Sequence, residues 1–184
     1  MRANKKKSWL RHSLKKIVDA GIFLFVVLLL TYLIVTYVGQ RTIVHNVSMQ
    51  QTLYEGDNLI TDKISYRIRE PKRFEIICFC CKGEENDLIK RIVGLPGETI
   101  QITNGSIYIN GDAIEDYPGL SSIEYAGRAE YGVTLLSDEY FVIGDNRSES
   151  IDSRFEEVGN VRKDAIIGRA FFRIYPFQKF GPVK

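Results

Sequence analysis

A chain of 184 residues has room for one folded domain plus a membrane segment, with little left over. Its formal net charge of +2 conceals an asymmetry. Arg2, Lys5, Lys6, Lys7, Arg11, Lys15 and Lys16 precede residue 20 with only Asp19 against them, while beyond residue 40 there are 18 Lys and Arg against 22 Asp and Glu. The main domain is therefore mildly acidic, which argues against nucleic acid as a partner, because phosphate binding wants a basic face.

Residues 1–16 read as a basic cytoplasmic tail. A partly amphipathic segment on an anionic membrane face and a disordered charged tail fit them equally well, and both obey the positive-inside rule. Residues 20–38 form an uncharged, apolar run of nineteen residues. As a helix it is ~28 Å long, which matches a bilayer core. A cleaved signal peptide would have a shorter apolar region followed by a small-x-small site. Here the run ends Val35-Thr36-Tyr37-Val38-Gly39-Gln40, with no such pair well placed. The expectation is an uncleaved anchor over residues 17–39, amino terminus inside, and an extracytoplasmic domain over residues 40–184.

From Arg41 onward there is no long helical period. Residues 42–47 suggest a strand running up to Ser48, residues 54–57 a turn, and residues 58–61 a second strand. Residues 74–79 and 88–93 read as strands on their β-branched content. Asn104-Gly105 and Asn110-Gly111 flank Ser106-Ile107-Tyr108-Ile109, a strong hairpin signal. Residues 117–134, rich in Gly, Ser and Tyr, read as an irregular surface excursion, and residues 140–143 and 165–174 supply late strands. The expected fold class is mainly β, with no internal repeat. Cys78, Cys80 and Cys81 crowd one window with no histidine near them. Adjacent cysteines bridge only with strain, so they read as small apolar residues of a strand rather than as a redox or metal motif.

Ser48 stands ten residues beyond the apolar run. Fully extended, that distance is at most ~33 Å, so its hydroxyl stays near a bilayer surface. If Ser48 is a nucleophile, something must take its proton. His12 precedes the membrane run, and His45 lies at an odd offset, which on a strand points it to the opposite face. Lys90 remains. In Asp87-Leu88-Ile89-Lys90-Arg91-Ile92-Val93 the alternation puts Leu88, Lys90 and Ile92 on one face and Ile89, Arg91 and Val93 on the other. A lysine between two branched aliphatics is partly desolvated, which lowers its pKa from ~10.4 toward a neutral amine that can act as a base. A lysine snorkelling from a half-buried strand fits the same pattern. A third patch, residues 144–154, is dense in short hydroxyl and carboxylate side chains. Asp152 and Arg154 can pair across it. Alone it is a polar turn; beside a desolvated lysine, one of its hydroxyls can orient the amine.

Ser48-Met49-x-x-Thr52-Leu53, then Lys90-Arg91-Ile92-Val93-Gly94-Leu95-Pro96-Gly97-Glu98, then Gly144-Asp145-Asn146-Arg147 through Ser150, Asp152, Ser153 and Arg154 follow one another behind the anchor. Together they resemble the boxes of bacterial type I signal peptidases. The resemblance implies a signal-peptidase-like β-fold ectodomain in which Ser48 attacks a peptide carbonyl and Lys90 is the general base. A water activated by the same lysine would clear the acyl-enzyme, and no metal or organic cofactor is implied. Ser150 matches the family serine that hydrogen-bonds the lysine, and Asp152 and Arg154 match residues that hold the site together. Asn46 stands where family members often carry serine or glycine, and its amide NH₂ would donate a second oxyanion bond beside the Ser48 N–H. The implied partners are secreted preproteins, with small residues, usually alanine, at the first and third positions before the cut, and membrane lipid. An extended substrate would add as a strand along residues 43–47 and 87–89, with Met49, Leu53 and Ile89 as pocket walls. One position departs from the pattern: the family's proline is replaced by Gln51, a loss of stiffening of about 0.4–1 kcal/mol.

Three other readings compete. An assembly factor for surface structures such as pili would keep the fold but not the chemistry. A self-cleaving Ser-Lys repressor would need a DNA-binding amino terminus where this chain has an anchor. A plain tethered β-domain predicts that Ser48→Ala and Lys90→Ala are silent.

Overall fold

The computed structural model describes residues 2–33, 37–81, 83, 86–115 and 122–183, with the backbone alone over 2–14. The chain divides into two units, Met1–Val38 and Gly39–Lys184. In the first, a single helix, α1, covers Arg2–Leu33. Its stretch Lys15–Leu33 has a mean hydropathy of 2.1 and is long and apolar enough to cross a membrane. The basic tail belongs to the same helix. Lysine, arginine, alanine and leucine are good helix formers and no proline interrupts them, so the apolar stretch and the tail propagate as one piece. The far end of the expected span includes residues 34–36, which lie outside the described residues.

The second unit is built from strands. First come β1 (Gly39–Ile43), β2 (Asn58–Asp62), β3 (Ile76–Phe79) and β4 (Leu88–Gly94). A meander follows: β5 (Thr99–Thr103), β6 (Ser106–Ile109) and β7 (Asp112–Ile114). The rest are β8 (Val133–Thr134), β9 (Glu139–Ile143), β10 (Val161–Arg162), β11 (Ile166–Tyr175) and β12 (Gly181–Pro182). One sheet runs β1-β2-β11-β3-β4-β9-β10, with β12 added to β11, and a smaller one runs β7-β6-β5-β8. Both Asn-Gly pairs turn the meander, with φ of 52° and 77° at Asn104-Gly105 and 54° and 91° at Asn110-Gly111. A two-residue turn that matches strand twist needs positive φ at both positions, which is why these dipeptides carry the signal. In the excursion, residues 116–121 lie outside the described residues, and Gly127–Tyr131 forms a 3-10 turn ahead of β8.

β3 and β4 are buried along their whole length. On one face Met49, Leu53, Leu59, Ile76, Cys78 and Ile89 pack together, and on the other Ile77, Phe79, Leu88, Ile92, Tyr140 and Val142 do. β4 pairs antiparallel with β3 on one side and with β9 on the other. Each aliphatic taken out of water contributes ~1.5–3 kcal/mol, enough collectively to carry two cations, Lys90 and Arg91, into the middle of the strand.

The cysteines divide. Cys78 is a core residue of β3, and burial pushes its thiol up to about 11. Cys80 and Cys81 lie past the end of β3, and Cys80 is exposed. Only Cys78 is therefore the apolar strand residue that the sequence suggested for all three.

Candidate active site

β1 stops at Ile43, short of the strand expected up to Ser48, and the chain turns out of the sheet. Val44 is held by a two-way backbone pairing, donating to Asp57 O at 2.9 Å and accepting from Gly56 N at 2.9 Å. Ser48 then heads a tight turn in which Gln50 N–H donates to Val47 O at 2.9 Å and Leu53 N–H to Met49 O at 2.8 Å. Met49 and Leu53, both 0% exposed, plug this turn into the core beside Ile89. All three pack together beneath the turn that carries Ser48.

The register of β4 sets Lys90 opposite Ile77 of β3, and its side chain is buried, with 2% of the residue exposed. Lys90 Nζ donates to Ser150 Oγ at 3.1 Å. Ser150 is held from behind by Arg154, whose Nη2 donates to the carbonyls of Arg147 (2.8 Å) and Ser150 (3.2 Å). The guanidinium is in turn fixed by Asp152, with Nε–Oδ1 at 2.8 Å and Nη2–Oδ2 at 2.9 Å. Asp152 Oδ2 also accepts the Gly144 N–H at 3.0 Å, tying the loop to the end of β9.

Gly144 is where the three segments meet. A Cβ there would lie 2.2 Å from Ser150 Oγ and 2.4 Å from Ser48 O, so only glycine permits this approach. Two residues on, Asn146 staples the Ser48 turn, its N–H donating to Ser48 O at 3.0 Å and its Nδ2 to Val47 O at 3.1 Å.

Ser48 itself is 4% exposed. Its Oγ donates to Asn46 Oδ1 at 2.7 Å, and its N–H donates to the same oxygen at 3.3 Å. Asn46 thus turns its carbonyl end, not its NH₂, toward Ser48, because the two groups it meets there are both donors. Ser48 and Lys90 line one cavity of about 200 Å³, together with Asn46, Val47, Leu88, Glu149, Ile151 and Val158.

Comparison with known proteins bears on this geometry. The family model described as signal peptidase, peptidase S26, matches residues 17–175. The chain belongs to that family. A probable signal peptidase I-2 from Synechocystis sp. is 37% identical over 153 residues, covering 79% of this chain and 67% of the relative. Signal peptidase I T of Bacillus subtilis is 32% identical over 173 residues, covering 89% and 88%. A signal peptidase I crystal structure from Enterococcus faecalis aligns with 55% of this chain and 97% of its own, at 31% identity and a TM-score of 0.45. The chain is thus a hydrolase of the signal peptidase I type.

This S26 chain also contains a network that residue-by-residue reading did not single out. Arg91 and Asp145, each with its side chain 0% exposed, pair through Nε–Oδ1 at 2.8 Å and Nη2–Oδ2 at 2.6 Å. Thr52 Oγ1 donates to Asp145 Oδ2 at 2.5 Å. One ion pair therefore joins all three of the peptidase boxes. The signal was present, since all three residues stand inside the quoted motifs, but alternation alone gives Arg91 no partner. Arg173 of β11 adds a further brace, donating to Thr52 O at 2.5 Å and pairing with Asp57 at 3.1 Å.

Proposed function

We propose that this chain is a membrane-anchored serine endopeptidase that removes signal peptides from secreted preproteins through a Ser48–Lys90 dyad. The observation that carries the reading is the shared cavity: a serine hydroxyl and a buried lysine amine line the same 200 Å³ space, with Ser150 holding the amine. An amine removed from water loses the hydration that favours its charged form, which suits it to accept a proton.

Ser48 Oγ–H turns from Asn46 toward Lys90 Nζ, which takes the proton as Oγ bonds to the scissile carbonyl carbon. The carbonyl π pair moves to oxygen, and the Ser48 N–H, released from Asn46 Oδ1, meets that oxyanion. Collapse of the intermediate breaks the C–N bond, and the proton on Lys90 passes to the leaving amine. A water then gives a proton to Lys90 as its oxygen bonds to the acyl carbon; the C–Oγ bond breaks, the proton on Lys90 passes to Ser48 Oγ, and the carboxylic acid product leaves. Asn46 assists by turning its carboxamide over, so that Nδ2 donates where Oδ1 now accepts.

The cavity's apolar lining, Val47, Leu88, Ile151 and Val158, suits a small side chain such as alanine at the cut. Residues 88–90 pair with β3 on one side only, since the ladder to β9 begins at Arg91, so this stretch offers an open edge to an extended substrate. The length and apolar character of α1 support a membrane anchor with the amino terminus inside, the peptidase domain outside and lipid as a partner, and the acidic balance beyond residue 40 speaks against nucleic acid. The test is to incubate the full-length chain in detergent with an Ala-x-Ala preprotein and determine the mature product's amino terminus by mass. A single cut after the second alanine is expected. No cut, or cuts elsewhere, would refute the reading.

A further inference from the structure

A second cavity, of about 230 Å³, is lined by residues that adjoin those of the first in sequence, His45 next to Asn46 and Asp87 next to Leu88. Both lie between the same two stretches of chain. The first is bounded by Asn46–Ser48 on one wall and Leu88 and Lys90 on the other, and the second by residues 40–45 and Asn86-Asp87. Moving to lower residue numbers on both walls leads from one to the other, and on one wall it leads toward Gly39, where the apolar segment ends. The chemistry of the lining changes on the way. Where the first cavity is mostly apolar, the second presents Arg41, Thr42, His45, Asn86 and Asp87.

We infer that this second cavity is a polar subsite for the substrate side chains about four and five residues before the cut, by which the enzyme reads where a signal peptide's apolar core ends. The inference rests on the peptidase reading. An extended substrate advances at the same ~3.3 Å per residue as the strands beside it. Along the wall that leads into β4, Asn86 and Asp87 precede Lys90 by four and three positions, which places them beside the fifth and fourth substrate residues, and His45 faces the same cavity from the other wall.

The polar groups there are positioned yet retain bonding capacity. Arg41 Nε donates to Asn58 Oδ1 at 2.7 Å, and Asp87 Oδ1 accepts the Cys80 thiol at 3.5 Å. A guanidinium has five donors and a carboxylate two acceptor oxygens, so both can serve a ligand as well. A serine, threonine, asparagine or glutamine side chain replaces the water it displaces from these groups. A leucine strips that water and returns nothing. A preprotein whose apolar core runs too close to the cut is thereby disfavoured.

The test uses the full-length chain and one preprotein with its Ala-x-Ala site fixed, carrying either serine or leucine at both the fourth and fifth positions before the cut. The expected kcat/KM ratio is about tenfold in favour of serine for the unsubstituted chain, falling to about twofold or less in His45→Leu/Asp87→Leu. Asn86→Leu, at an exposed position, lowers the ratio by a smaller amount and stands in if the double variant does not fold. A ratio near one in the unsubstituted chain, or an unchanged ratio in the variants, overturns the subsite and leaves the peptidase reading standing. Cleavage of neither substrate overturns the peptidase reading and the subsite with it.

Discussion

Arg91 and Asp145 meet side on, through two hydrogen bonds of 2.8 and 2.6 Å, with neither side chain reaching solvent. The pair joins the strand that carries Lys90 to the loop that carries Ser150, and through Thr52 it reaches the turn that carries Ser48. Removing one partner leaves the other charge buried without its counter-ion. Asp145→Ala should therefore lose about 3–5 kcal/mol of stability, read as a shift in the urea unfolding midpoint. A loss below ~1 kcal/mol, the range of exposed pairs, would mean that the pair is not buried in solution.

Gly144 makes a sharper prediction for chemistry than for folding. A methyl group at that position collides with both Ser150 Oγ and Ser48 O, so Gly144→Ala must push Ser150 and Ser48 apart. Displacements near 1 Å at reacting groups cost about 10²-fold in rate. Turnover should fall by that order, and a variant that keeps its turnover would show that the three segments do not converge there.

Gln51 holds φ at 103°, a region that favours glycine. The family's proline fixes φ near −65°, so it cannot simply be restored in this turn. A proline would therefore bring strain rather than stiffening to this turn. Gln51→Gly should gain on the order of 1 kcal/mol, and Gln51→Pro should destabilise the chain and slow cleavage. Thermal melting of the two variants beside the parent decides it, and a stabilised proline variant would contradict this turn geometry.

Glu75 gives stability a pH dependence. Burial pushes its carboxyl up, but hydrogen bonds from Arg69, the Lys72 N–H and Tyr66 outweigh this and hold it below its usual 4.5. A depressed carboxylate contributes stability that is present above ~4.5 and lost as pH falls through the lowered value. The stability gap between the parent and Glu75→Gln should thus be largest near neutral pH and shrink below ~4.5. Urea unfolding across that range measures it, and a gap that widened in acid would reverse the sign.

Much of this was legible in the residues. The Asn-Gly pairs gave the meander because their backbone requirement is local, and the apolar run gave the helix for the same reason. The faces of β4 followed from alternation, since Leu88 and Ile92 do pack together on the far side from Ile89. What stayed hidden was long-range. That Met49 and Leu53 pack into a core assembled from β2, β3 and β11 depends on contacts distant in sequence, which no local pattern carries. Which end of the Asn46 amide faces Ser48 depends on the donors that the fold brings to it, and no local pattern shows them.

The most direct measurement compares kcat/KM for an Ala-x-Ala preprotein among the full-length chain, Ser48→Ala and Lys90→Ala, with each variant's unfolding midpoint recorded alongside. Loss of the hydroxyl or of the amine should each lower the rate by ~10³-fold or more while the midpoint stays near the parent's. A Lys90→Ala chain that folds and still cuts within ~10-fold of the parent would contradict the assignment of the proton acceptor.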